Sequence, residues 1–150
     1  MAKNAGVVPT AFYRHFKDME ELGLNLVDEL GMMLRKLMRT TRQQQQPAEK
    51  MVSISVELYV EYVTEHRNLF VFMAQCRTGG TPALRNAIRS ELGYFATELA
   101  TDIRNLSTLP NIDTKDLEGI ATLIITAVAD ITVEILDLPD KSLQQKELVE

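Results

Sequence analysis

From Met19 to Met38 apolar side chains recur at three- and four-residue steps: Met19, Leu22, Leu26, Val27, Leu30, Met33, Leu34, Leu37 and Met38. That spacing lines one face of a long helix and does not fit the two-residue alternation of a strand. The same period returns in Met51, Val52, Leu58, Tyr59, Tyr62 and Val63, in Leu84, Ile88, Leu92, Phe95, Leu99 and Ile103, and in Ile120, Leu123, Ile124, Ala127, Val128, Ile131 and Ile135. With only 7 Gly and 5 Pro in 150 residues, strand-and-turn architectures are disfavoured and the expected class is all-α. The β-branched residues of the second run leave a strand there as a weaker alternative.

The punctuation agrees. Asp18 followed by Glu21 resembles a capping box, so a helix is expected to start there, with Lys36, Arg39 and Arg42 favouring its C-terminal dipole. Gln43 to Pro47 reads as a loop, and a second helix is expected over 48–65, broken at Arg67-Asn68. A short apolar piece, Leu69 to Ala74, follows. Gly79-Gly80 and Pro82 mark a loop and a helix start. Ser107 to Ile112 reads as a loop, Asp113 or Thr114 as the next cap, Pro139 as a stop and Ser142 as the start of a last helix. In this reading the apolar residues of every helix, Ile120 to Ile135 included, point inward.

A length of 150 residues suits one domain with its own core. The lone Cys76 excludes an internal disulfide and suits a reducing, cytoplasmic setting. The longest uncharged apolar stretch, Gly119 to Ala129, falls short of a membrane span, so no membrane partner is expected. Residues 1–42 hold 7 Lys/Arg against 5 Asp/Glu, a net of +2, and residues 43–150 hold 9 against 16, a net of −7. Only the head is suited to meet a polyanion.

No Gly-rich phosphate loop or clustered Cys/His set stands out, so no cofactor, metal or catalytic residue is expected. Cys76 and His66 offer a nucleophile pair in principle, but a buried thiol and an exposed helix-end histidine are the favoured reading. Asp130, Glu134 and Asp137 share a helix face and read first as a solvated acidic edge. Met33, Leu37, Tyr59, Tyr62, Phe70, Met73 and Phe95 form the candidate lining of an apolar ligand cavity, with ordinary core as the alternative for each.

The N-terminus is the most specific segment. Ala5-Gly6-Val7 is a glycine turn, and Pro9 then opens a short helix carrying Tyr13, Arg14 and His15, with Lys17 just beyond. Such a face offers hydrogen bonds to phosphates and base edges, although a solvated surface helix reads as well. The run Ala5-Gly6-Val7, Phe12-Tyr13-Arg14-His15-Phe16 and Asp18 to Leu22 resembles the second half of the helix-turn-helix of the TetR family of transcriptional regulators. Pro9 to Phe16, Glu20-Glu21-Leu22-Gly23-Leu24 and Leu26-Val27-Asp28-Glu29 look most like its subgroup of unsaturated fatty acid biosynthesis repressors (FabR).

The resemblance implies a homodimeric repressor, not an enzyme, that binds operator DNA. Residues 1–17 would be a remnant of the DNA-binding domain and 18–150 the ligand-binding and dimerisation body. The family's first helices would precede Met1 and its last helix would run beyond Glu150. Carried over by position, Thr10, Tyr13, Arg14, His15 and Lys17 face DNA. Tyr13 and Lys17 suit phosphates, Thr10 and Arg14 suit base edges, and His15 suits either. Val7, Phe12 and Phe16 would form the core of the small head. The subgroup further implies a small acyl ligand, an acyl-CoA or acyl-carrier-protein thioester, as effector. Its polar head would need a basic mouth, for which Arg77, Arg85 and Arg89 are candidates.

Overall fold

The computed structural model describes the backbone of residues 8–44, 46–106 and 111–138, with side chains from Asp18 onward within those ranges. Five helices account for it: α1 (Val8–Arg42), α2 (Ala48–Glu65), α3 (Arg67–Gly79), α4 (Pro82–Asn105) and α5 (Thr114–Asp137). There is no strand among the described residues, so the competing strand reading of the second run fails. Ser142 and the helix expected there lie outside the described residues, as does Pro139.

The boundaries follow local chemistry. Thr81 accepts a hydrogen bond from the Leu84 amide at 3.3 Å, and Pro82 occupies the first turn, where its missing N–H costs nothing. The Asp113 carboxylate accepts from the Thr114 amide at 2.8 Å and opens α5. The break between α2 and α3 falls at His66, one residue before the expected Arg67. Its amide donates to Tyr62 O at 3.0 Å while its own carbonyl accepts from Leu69 and Phe70, so it closes one helix and opens the next.

At the N-terminus the expectation of a helix starting at Asp18 is corrected. Helix α1 is continuous across that position from Val8. Asp18 and Glu21 are exposed mid-helix residues, since a capping pattern has no free amide to satisfy once the preceding turn is already helical.

Helices α1 and α4 run parallel. Gly23 approaches Leu84, Gly31 lies against Glu91, and Arg42 reaches Glu98 and Asp102, so both numberings rise together. The two glycines allow this approach: a Cβ on Gly23 would stand 2.9 Å from a Leu84 methyl, and one on Gly31 would collide with the Glu91 carboxylate. Between them Val27 is buried with Cys76, Leu84 and Ile88. Helices α4 and α5 pack through a small-residue seam of Ala96, Ala100 and Ala121.

The sequence reading of α1 and α5 needs a second correction. Met19, Leu22 and Met33, expected inward, are more than half exposed, and the buried positions of α1 are Gly23, Val27, Leu30, Gly31, Leu34 and Thr41. On α5 the buried positions are Leu117, Ala121, Thr132 and Leu136, while Ile120, Leu123, Ile124 and Ile131 face outward. Where apolar residues fill more than one stripe of a helix, their spacing does not announce which stripe meets its own chain. By length and composition α5 is also apolar enough to cross a membrane, further than the Gly119–Ala129 stretch suggests. Four of its residues nevertheless pack into the helical body.

Candidate functional site

Leu30 and Leu34 of α1, Val63 of α2, Phe70 of α3 and Leu136 of α5 meet in one buried cluster. Burying side chains of this size stabilises by about 1.5–3 kcal/mol each. Five of the seven ligand candidates converge here: Phe70 at the centre, with Tyr59, Tyr62, Met73 and Phe95 packed around it. Phe70 stands between two tyrosine rings, with its centroid 6.1 Å from Tyr59 and 6.0 Å from Tyr62, both edge to face.

The polar tips of those tyrosines point in different directions. The Tyr62 hydroxyl donates to the Met33 sulfur at 3.1 Å, and its ring stacks at a tilt on His66 at 4.3 Å. Met33 therefore sits at the rim of the cluster, 55% exposed. Leu37 is half-buried, and its carbonyl accepts from the buried Thr41 hydroxyl at 3.1 Å. The Tyr59 oxygen lies 2.7 Å from the Thr132 hydroxyl, which in turn lies 2.7 Å from Val128 O. Burial pushes the Tyr59 phenol up, with the Thr132 hydrogen bond opposing it. Thr132 is the functional candidate that sequence reasoning missed. The available signal was weak: Thr132 is flanked by Ile131 and Val133, but Thr122 and Thr126 on the same helix carry the same hydroxyl.

The arginines expected at a basic mouth are held by the protein itself. Arg77 donates to Asp130 at 2.7 Å, Arg85 to Gly80 O, and Arg89 to Asn86 at 3.2 Å. Asp130 thereby becomes a salt-bridge partner, and Glu134 and Asp137 are exposed, which matches the solvated acidic edge. Arg67 donates to Leu138 O at 3.1 Å and satisfies a carbonyl just beyond α5.

A charged seam joins α1 to α4. Arg35 pairs with Glu91, Arg42 with Glu98 at 3.0 Å and with Asp102 at 2.8 Å. Burial raises the Asp102 carboxyl, Arg42 pulls it back, and Glu98 pushes it up again. Beside the seam an open groove of about 360 Å³ is lined by Arg35, Tyr94, Thr97 and Glu98, and none of the seven ligand candidates is in its lining.

Cys76 is buried and burial pushes its thiol up, the opposite of what a nucleophile needs. His66 is exposed and lies ten residues before it on the far end of α3, about 15 Å away by helical rise. The Cys–His alternative has no geometric support.

Thr10, Tyr13, Arg14, His15 and Lys17 fall within the helical backbone of α1, but their side chains lie outside the described residues, as do those of Phe12 and Phe16. Val7 lies outside altogether.

The described residues form five helices, the long α1 among them, around one apolar cluster. Residues 47–150 match the tetracyclin repressor-like C-terminal domain, and the chain belongs to the TetR family. It is 39% identical over 131 residues to an uncharacterized HTH-type transcriptional regulator of Haemophilus influenzae, a match covering 87% of this chain and 64% of that relative. The chain thus spans less than two thirds of that protein's length.

Proposed function

We propose that this chain supplies the recognition segment and regulatory body of a cytoplasmic, homodimeric, DNA-binding repressor, not an enzyme. Its targets are genes of unsaturated fatty acid biosynthesis and its effector is a long-chain acyl thioester. The observation that carries this reading is α1, one helix running from the Thr10–Lys17 segment to Leu30 and Leu34 in the apolar cluster. A ligand that displaces the cluster displaces the segment that meets DNA. The resemblance of Pro9 to Glu29 to the fatty acid subgroup supports the gene class. The aromatic and Met-rich surroundings of Phe70 support an apolar effector.

The dimer is supported by the outward stripe of α5, where Leu123 is 72% exposed and Ile131 52%. Contiguous apolar surface of that kind marks an interface. A two-fold dimer sets two recognition helices about 34–36 Å apart, so a modest tilt of α1 changes the fit to the operator.

The test is fluorescence anisotropy of the full-length protein on labelled promoter DNA from an unsaturated fatty acid synthesis gene, with and without hexadecanoyl- and hexadecenoyl-coenzyme A. Arg14→Ala is expected to cost about 1–3 kcal/mol and relax one base position, and Lys17→Ala to weaken all sequences and lower the salt slope by about one. If both variants keep wild-type affinity, the register of the recognition segment is wrong. If thioesters leave operator affinity unchanged and a cationic drug shifts it, the protein regulates efflux instead.

A further inference from the structure

The hydroxyl chain at the edge of the apolar cluster has a direction fixed by proton count. Thr132 has one hydroxyl proton and two neighbours at 2.7 Å, Tyr59 Oη and Val128 O. A backbone carbonyl only accepts, so Thr132 donates to Val128 O. The Tyr59 hydroxyl must then donate to Thr132. Every proton in the chain is committed: Tyr59 to Thr132, and Thr132 to Val128 O. This chain ties α2 to α5 across the cluster, and Tyr59 is also one of the two tyrosines whose edge-to-face contacts hold Phe70.

We propose that the Tyr59 hydroxyl is the polar anchor of the effector site and that its single proton is contested. It is given to Thr132 in the arrangement described, and to an acceptor oxygen of the effector on binding. The inference rests on the reading of the Phe70 cluster as the effector site. It narrows the effector to a long apolar body carrying a carbonyl or similar acceptor, because a ligand oxygen that accepts is the only kind that competes with Thr132 for that proton. Binding then releases Thr132 from α2, so α5 loses a tether at the moment the cluster is filled. Helix α5 carries the outward apolar stripe, so ligand occupancy reaches the opposite side of that helix through one hydrogen bond.

The measurement is isothermal titration of the full-length protein with hexadecanoyl-coenzyme A and with its thioether analogue, S-hexadecyl-coenzyme A, which has a chain of the same length and lacks only the thioester carbonyl. Wild-type protein is expected to prefer the thioester by roughly three- to tenfold, the range of one net hydrogen bond. Tyr59→Phe should bring the thioester down to the thioether's affinity. Thr132→Val, which keeps the shape but removes the competing acceptor, should tighten the thioester. A pair that is only structural moves both variants in the same direction, so opposite signs are the signature. If the wild-type protein binds both compounds equally and Tyr59→Phe changes neither, the anchor is refuted while the effector site stands. If neither compound binds wild-type protein, the acyl effector reading falls and the anchor with it.

Discussion

A methyl group on Gly31 would stand 2.6 Å from the Glu91 carboxyl carbon, inside the space that carboxylate occupies beside Arg35. Gly31→Ala is therefore expected to expel Glu91 and destabilise by about 1–2 kcal/mol, the overpacking cost less the helix propensity gained. Urea unfolding measures it. The double variant Gly31→Ala/Glu91→Ala should recover part of the loss, because the second change empties the contested space; a simple sum of two losses would refute the contact. Cys76 gives a second prediction at this scale. Its burial and raised thiol predict labelling by a disulfide reagent at pH 8 at least about tenfold slower in native protein than in urea. Equal rates would show that α3 does not seal that side chain.

Helix α5 has two apolar stripes, and among the described residues only one packs into the body. Leu117, Ala121, Thr132 and Leu136 meet the body, while Ile120, Leu123, Ile124 and Ile131 face out. Leu123→Glu is expected to leave helicity and thermal unfolding of the body intact while weakening self-association by roughly a hundredfold, since a two-fold interface carries each change twice. Sedimentation across a concentration series checks it, and unchanged self-association would place the dimer elsewhere. The same helix shows where sequence reading stops. Starts at Pro82 and at Asp113–Thr114 were legible because a cap is a local event between near neighbours. That Tyr59, Tyr62, Phe70, Met73 and Phe95 share one core cluster was legible because size and softness mark core positions. The inward stripe of α5 was not, since hydrophobicity alone favours burying Ile124 over Ala121 and the alanine seam with α4 selects the smaller residue. Nor was the helix running through Asp18, whose capping pattern is as good a surface pair when the preceding turn is helical. Thr132 could not be paired with Tyr59 from sequence because 73 residues separate them.

On the proposed function, effector and operator act on one equilibrium across the whole molecule. If a thioester changes operator affinity by some factor, operator DNA must change thioester affinity by the same factor, typically about 5- to 150-fold. Two titrations of the full-length protein, one in each direction, check it. Unequal factors would mean a further state or partner takes part. The parallel seam between α1 and α4 constrains what that change of state looks like. Arg35 and Arg42 are 7 residues apart, and so are Glu91 and Glu98, so both pairs close at one setting of the helices. The seam works as a vernier: any slide of α1 along its axis opens both pairs together and drives Gly31 off its partner. Asp102, one turn beyond Glu98, gives Arg42 a second hold, so the seam resists longitudinal travel of α1 without forbidding it, and a pivot about the seam disturbs these contacts least. On the proposed function, the signal carried toward the N-terminal end of α1 is angular, and its reach grows with distance from Arg35.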